Sequence, residues 1–122
     1  MQGYRDLVVW QKSYALALAV YRATIRFPRS EVVGMTSQLR RASLSIPCNI
    51  AEGHCRQSRA DHARFVAIAQ GSAAEVDTLL CLARDLLYLE EEPAQKLVEG
   101  LTEVAKMLRG LTKSLRASGP NT

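Results

Sequence analysis

"QKLVEGLTEVAKMLRGLTKSL", residues Gln95 to Leu115, sets how the rest of the chain is read. Leu97, Leu101, Val104, Leu108, Leu111 and Leu115 alternate spacings of four and three, so one apolar seam runs along an α-helix. Such a seam is stable only against other elements of the same kind. Just before it, "EEEP" (Glu90–Pro93) breaks the chain: Pro93 suits a first helical turn and the glutamates suit the N-terminal end of the dipole. Working further back, Ser58 with Asp61 forms a capping box with Asp in place of Glu, opening a helix with Phe65, Ile68, Ser72, Val76, Leu79, Ala83 and Leu86 on one side. An earlier segment, capped by Ser30, carries Met35, Leu39, Ala42, Ile46 and Ile50 and stops at Gly53. The first, capped by Asp6, carries Leu7, Trp10, Tyr14, Leu18, Tyr21 and Ile25 and is stopped at Phe27-Pro28. The pattern predicts helices over residues 6–26, 30–53, 58–89 and 93–116 with a frayed tail at 117–122, and no strand-like alternation competes with it. Short connections between amphipathic helices predict an all-α, antiparallel up-and-down four-helix bundle, with residues 1–122 as one domain.

Composition agrees. The chain is 48% hydrophobic but only 6% aromatic, the balance of a helical protein rather than a β-sandwich. Cys48, Cys55 and Cys81 have no framework spacing and no signal peptide precedes them, which predicts free thiols in a cytoplasmic protein. No run of consecutive apolar residues approaches membrane-span length, so no membrane association is expected. The net charge of +4 is unevenly spread: residues 1–64 hold ten Lys/Arg against four Asp/Glu, whereas residues 65–122 hold six against eight. A basic half attracts polyanions, or pairs with acidic groups of its own chain or of a neighbouring subunit.

The first helix has a second apolar stripe, Val9, Leu16 and Val20, nearly opposite the one taken as core. The second helix repeats this with Val33, Leu44, Pro47 and Ala51. Large exposed apolar faces mark interfaces, so these seven residues predict a homo-oligomer built through the first two helices.

The stretch "SQLRRASLSIPCNIAEGHCRQSR", Ser37 to Arg59, gathers the chemistry-bearing residues. Pro47 removes a helical hydrogen bond to the Ser43 carbonyl and predicts a local bend. Ser43 and Ser45 have no His or Lys one turn away to activate them, which speaks against a nucleophile. Asn49 and Glu52 read as structural polar groups fixing helix register. His54, Cys55, Cys48 and His62 lack any tetrahedral metal-ligand spacing, so no metal is expected. Glu52 with His54 lacks a second carboxylate, an oxyanion loop or a phosphate-binding glycine motif. No catalytic residue and no cofactor are therefore expected. What remains is Arg40, Arg41, Arg56, Arg59 and Arg64, all Arg rather than Lys, a choice that favours planar, bidentate contacts to phosphate or carboxylate. Arg40 and Arg41 are 100° apart on a helix and cannot share one face. Few aromatic residues accompany the five, so backbone or shape recognition of RNA or DNA is expected rather than base stacking.

The segments "LVVWQKSYALALAVYRAT", "FPRSEVVGMTSQLRRASLSIPCNIAEG" and "RFVAIAQGSAAEVDTLL" resemble the bacterial 23S rRNA-intervening-sequence proteins over residues 4–90. The marks are Trp10-Gln11-Lys12, Phe27-Pro28, Gln38 to Arg41, Ser45-Ile46-Pro47, Asn49 to Gly53 and Gly71-Ser72. Cys48, His54 and Cys55 stand where small or polar residues are more usual. The resemblance implies a four-helix bundle in a ring-like homopentamer. It also implies similarity to the accessory variability protein of diversity-generating retroelements, which works with nucleic acid and a reverse transcriptase. It does not imply an enzyme. Its basic positions carry over to Arg40, Arg41 and Arg56, while Arg59 and Arg64 rest on charge alone. The function expected is a non-enzymatic, oligomeric nucleic-acid-binding or adaptor protein. The alternative is a structural or protein-scaffolding oligomer, with another protein as a further partner, whose arginines pair between subunits.

Overall fold

The computed structural model describes residues 3–117. Four helices, α1 (Val8–Ala23), α2 (Met35–His54), α3 (Arg59–Asp85) and α4 (Glu91–Ala117), form an all-α bundle with no strand among the described residues. Each packs against its neighbours in sequence, and α4 closes the ring against α1. The core is a continuous set of aliphatic side chains in which Leu39, Ile46 and Ile50 of α2, Val66, Val76 and Leu80 of α3 and Val104 and Leu108 of α4 are almost wholly enclosed. The seam predicted for α4 is the buried one, with Leu111 and Leu115 half-buried toward its end. Ser58 caps α3 as predicted, its Oγ accepting from the Asp61 backbone N–H at 3.0 Å.

The helix limits differ from the sequence reading, each for a local reason. Asp6 and Ser30 lie in short 3-10 turns (Tyr4–Asp6 and Arg29–Glu31) and cap nothing. The Glu31 carboxylate takes over at α2, accepting from the Met35 N–H at 3.0 Å. The Ala23 end of α1 runs into a further 3-10 turn at Thr24–Arg26 before Pro28. Gly53 does not stop α2: it is buried inside the helix, where a Cβ would lie 2.9 Å from the Phe65 Cβ of α3. α3 ends at Asp85 rather than 89, because Leu87 adopts φ 64° and the Tyr88 and Leu87 N–H groups bond back to the Ala83 and Arg84 carbonyls. Of the predicted tail, Ala117 is helical and residues 118–122 lie outside the described residues.

The largest correction concerns α1. Val9, Leu16 and Val20, expected outside, are the core face, with Val20 fully enclosed. Tyr14, Leu18, Tyr21 and Ile25, expected inside, are exposed, Ile25 by 73%. The inward face includes Ser13, Ala17 and Thr24, small enough to bring α1 close to its neighbours. Its hydroxyls are satisfied within the helix: Ser13 donates to the Trp10 carbonyl at 3.0 Å and Thr24 to the Val20 carbonyl at 2.9 Å. In α3 the buried face is likewise rotated toward Val66, Ala69 and Ala73, leaving Ile68 and Leu86 exposed. By length and mean composition α3 is apolar enough to cross a membrane, although Gln70, Ser72, Glu75 and Asp77 interrupt any consecutive apolar run; 33% of that window is buried inside the bundle, where α2 and α4 pack against the helix.

Candidate nucleic-acid interface

The five arginines singled out in sequence do not form one cluster. Arg40 precedes His54 by fourteen positions of α2, or about 20 Å along the axis, so Arg40 and Arg41 stand far from the α2–α3 turn that carries the others. Arg40 is a clasp within the bundle. Its Nε donates to Thr24 Oγ1 at 2.7 Å, its Nη2 to the Tyr21 carbonyl at 3.2 Å, and its guanidinium lies over the Tyr21 ring. Arg41 is exposed and lines a depression between α2 and α3 with Gln38, Ser45, Ser72 and Glu75. Beside it Asn49 Nδ2 donates to the Ser45 carbonyl and hydroxyl at 2.8 and 2.9 Å, and Ser45 Oγ meets Ser72 Oγ at 2.8 Å, joining α2 to α3. Glu52 takes no part in this: it is exposed and pairs with Arg56 at 2.8 Å.

At the α2–α3 turn, Arg56 and Arg64 both lie over the Phe65 ring, their guanidinium carbons 4.7 and 4.4 Å from its centroid. Asp61 holds both, at 3.6 and 2.9 Å. The pairing with acidic groups weighed from the sequence is thus made within one chain for these two residues. Arg59 lies at the mouth of the groove between α3 and α4, in a depression of about 430 Å³ shared with Arg64 and Arg116. Arg116 and its neighbours Lys113 and Arg109 were missed, because counting charge over half the chain mixed them with the acidic residues 75–103. The signal was nevertheless present: from Val104 onward there are four Lys/Arg and no Asp/Glu, and 109, 113 and 116 share one helical face.

His62 also faces this turn. Its Nε2 is buried without a hydrogen-bond partner, and the His54 ring stands edge-on at 6.2 Å. Desolvation, then the neighbouring His54, hold the His62 imidazole below its ordinary pKa. Far from there, the Met35 N–H and then the Tyr88 hydroxyl, 2.9 Å from Glu31 Oε2, hold the Glu31 carboxyl below its ordinary range, and the same contact pushes the Tyr88 phenol up. No group of three or more His, Cys, Asp or Glu is arranged to hold a metal ion among the described residues.

Of the seven interface residues predicted from sequence, Val9, Leu16, Val20 and Pro47 are buried within the monomer, Ala51 is half-buried, and Val33 and Leu44 are exposed. Pro47 is enclosed beside Ser43 and Ile46, on the buried side of α2 rather than the outer one. The outward apolar face is instead Tyr14, Leu18 and Tyr21 of α1 with Ile25 of the turn that follows it, extended by Trp10 stacked on Tyr14 at 5.2 Å. Leu44 continues it, one turn beyond the Arg40 that covers Tyr21.

The molecule is therefore an all-helical bundle with an aromatic outer face on α1 and a cationic groove between α3 and α4. Over residues 5–110 the chain matches the 23S rRNA-intervening sequence protein family, to which it belongs. Among solved structures it is similar to a protein of unknown function of the S23 ribosomal protein family from Bacteroides thetaiotaomicron, at 29% identity and a TM-score of 0.79. That similarity covers 87% of this chain and 99% of the other. No curated protein matches the sequence.

Proposed function

We propose that this chain is a non-catalytic, cytoplasmic, self-associating protein that binds nucleic acid at the α2–α3 turn and the adjoining end of α4. The observation that carries the reading is the convergence of Arg59, Arg64 and Arg116 from two helices on one depression whose described lining holds no acidic residue, Asp61 pairing with Arg64 beside it. Paired guanidiniums at an open surface suit phosphate oxygens, which accept their N–H groups in bidentate fashion. Arg40 stands outside the site, because it lies far along α2 from the turn and two of its N–H groups tie it to Thr24 and Tyr21. Self-association uses the exposed face of α1 and Leu44, since aromatic and aliphatic side chains of this density mark interfaces.

Retention of structured RNA over a salt series tests the binding reading. Wild type is expected to bind with an affinity that falls steeply as salt rises, and Arg59→Glu/Arg64→Glu/Arg116→Glu to lose most of it. Equal binding by the two overturns the reading. Light scattering tests assembly in the same samples, the resemblance to ring-forming relatives setting the expected mass at five times the 13.5 kDa chain.

A further inference from the structure

We infer that the whole seam between α3 and α4 is a track for the sugar-phosphate backbone of a double-stranded nucleic acid, an inference that rests on the binding reading above. Three depressions of about 430, 590 and 410 Å³ follow one another along this seam, the second sharing Arg116 with the first and Gln70 and Arg109 with the third. On α3 they are lined from Ala60 to Asp77, a length of about 25 Å at the helical rise. The floor at the cationic end is Ala60, Ala63 and Ala67, so no long side chain fills the trough.

Two rows of cations border it. Arg59 and Arg64 come from α3; Arg109, Lys113 and Arg116 rise from one face of α4 at intervals of about one turn. Among the described residues no carboxylate lies within ion-pair distance of these three α4 cations. The Thr112 hydroxyl donates to Gln70 Oε1 at 3.2 Å across the middle of the seam, placing neutral polar groups where a phosphate or sugar hydroxyl would lie. Asp77 lines the far end and closes the cationic run there.

The same lining decides between ligand forms. No aromatic side chain lines any of the three depressions, so single-stranded bases have no platform on which to stack. A duplex offers phosphates at fixed spacing and loses little conformational freedom on docking into a rigid trough. Contacts confined to phosphate and sugar carry no base information, so binding is indifferent to sequence.

Fluorescence anisotropy of the full chain, with labelled RNA and DNA hairpins of about 20 bp and an unstructured oligo-U strand of matching length, tests this across a KCl series. Either hairpin is expected to bind more tightly than the single strand, and the ranking of the two hairpins separates RNA from DNA as the source of the backbone. Arg109→Glu/Lys113→Glu/Arg116→Glu is expected to weaken hairpin binding at least about tenfold and to lower the log–log salt slope by about 3. Arg109→Gln/Lys113→Gln/Arg116→Gln, checked by circular dichroism, gives a smaller loss with the same lowering of slope and separates lost contacts from added repulsion. If the α4 variants bind hairpins as wild type does while Arg59→Glu/Arg64→Glu does not, the track is overturned and binding is confined to the α2–α3 turn. Preference for the single strand overturns the track as well. No binding of any probe by wild type overturns both.

Discussion

Gly53 and Gly71 are both helical, yet they differ in what a methyl group would meet. At Gly71 nothing lies within 4 Å of an added Cβ, so Gly71→Ala is expected to stabilise the fold by about 0.5–1 kcal/mol through backbone entropy alone. At Gly53 the new Cβ falls 2.9 Å from the Phe65 Cβ and 3.2 Å from the His62 carbonyl, positions that move only if α2 and α3 separate. The same propensity gain is then outweighed, and Gly53→Ala is expected to cost about 1–3 kcal/mol net. Chemical denaturation of the two variants checks this, and a Gly53→Ala protein as stable as Gly71→Ala rules out the close approach. From sequence alone Gly53 read as a helix stop, because glycine serves chain reversal and close packing equally well. Only the position of Phe65 across the helix pair distinguishes the two. Arg40 is a similar case: its sequence neighbours made it look like a ligand contact, whereas its partners Tyr21 and Thr24 are 16 to 19 residues away.

At the scale of elements, periodicity revealed four helices and the aliphatic rows that α2 and α4 bury, but not Pro47, Ser43 and Thr36, which α2 buries beside its row. In α1 it revealed two faces and could not order them. The aromatic stripe outweighs the other in hydrophobic area, but buried Ser13 and Thr24 bond their own backbone and so belong inside despite their polarity. This exchange makes opposite forecasts for two substitutions on one helix. Val20→Ala removes two methyl groups from a fully enclosed site and is expected to destabilise the chain by about 2–3 kcal/mol. Leu18→Lys/Ile25→Lys, on the outer face, is expected to leave the far-ultraviolet circular dichroism unchanged and to lower the particle mass in light scattering. A bundle that unfolds with the lysines and tolerates Val20→Ala would restore the sequence-based assignment of faces.

At the scale of the whole molecule, the candidate site was legible only in part, because it is made by topology. Arg59 and Arg116 are 57 positions apart, and antiparallel packing of α3 on α4 brings them to one depression. The bundle's two ends thereby acquire different chemistry and titrate in separate pH windows. Near the α2–α3 turn, His62 is neutral by desolvation, with His54 facing it and Arg56 and Arg59 lining the same surface. Its folded pKa lies below the unfolded value of about 6.5, so the unfolded chain takes up the proton first and stability falls as pH drops from that value toward the folded one. At the connection between α1 and α2, Glu31 is held ionised by Met35 and Tyr88; its contribution is complete above about 4.5 and is lost as pH falls through its depressed folded value. Urea unfolding at about pH 7.5, 5.5 and 4 resolves the two, the first interval reporting the histidine and the second the carboxylates. His62→Gln is expected to flatten the first interval and leave the second. Tyr88→Phe, which removes one of the two bonds lowering Glu31, is expected to shrink the second and leave the first. Equal losses in both intervals for either variant would mean that the ends do not titrate independently.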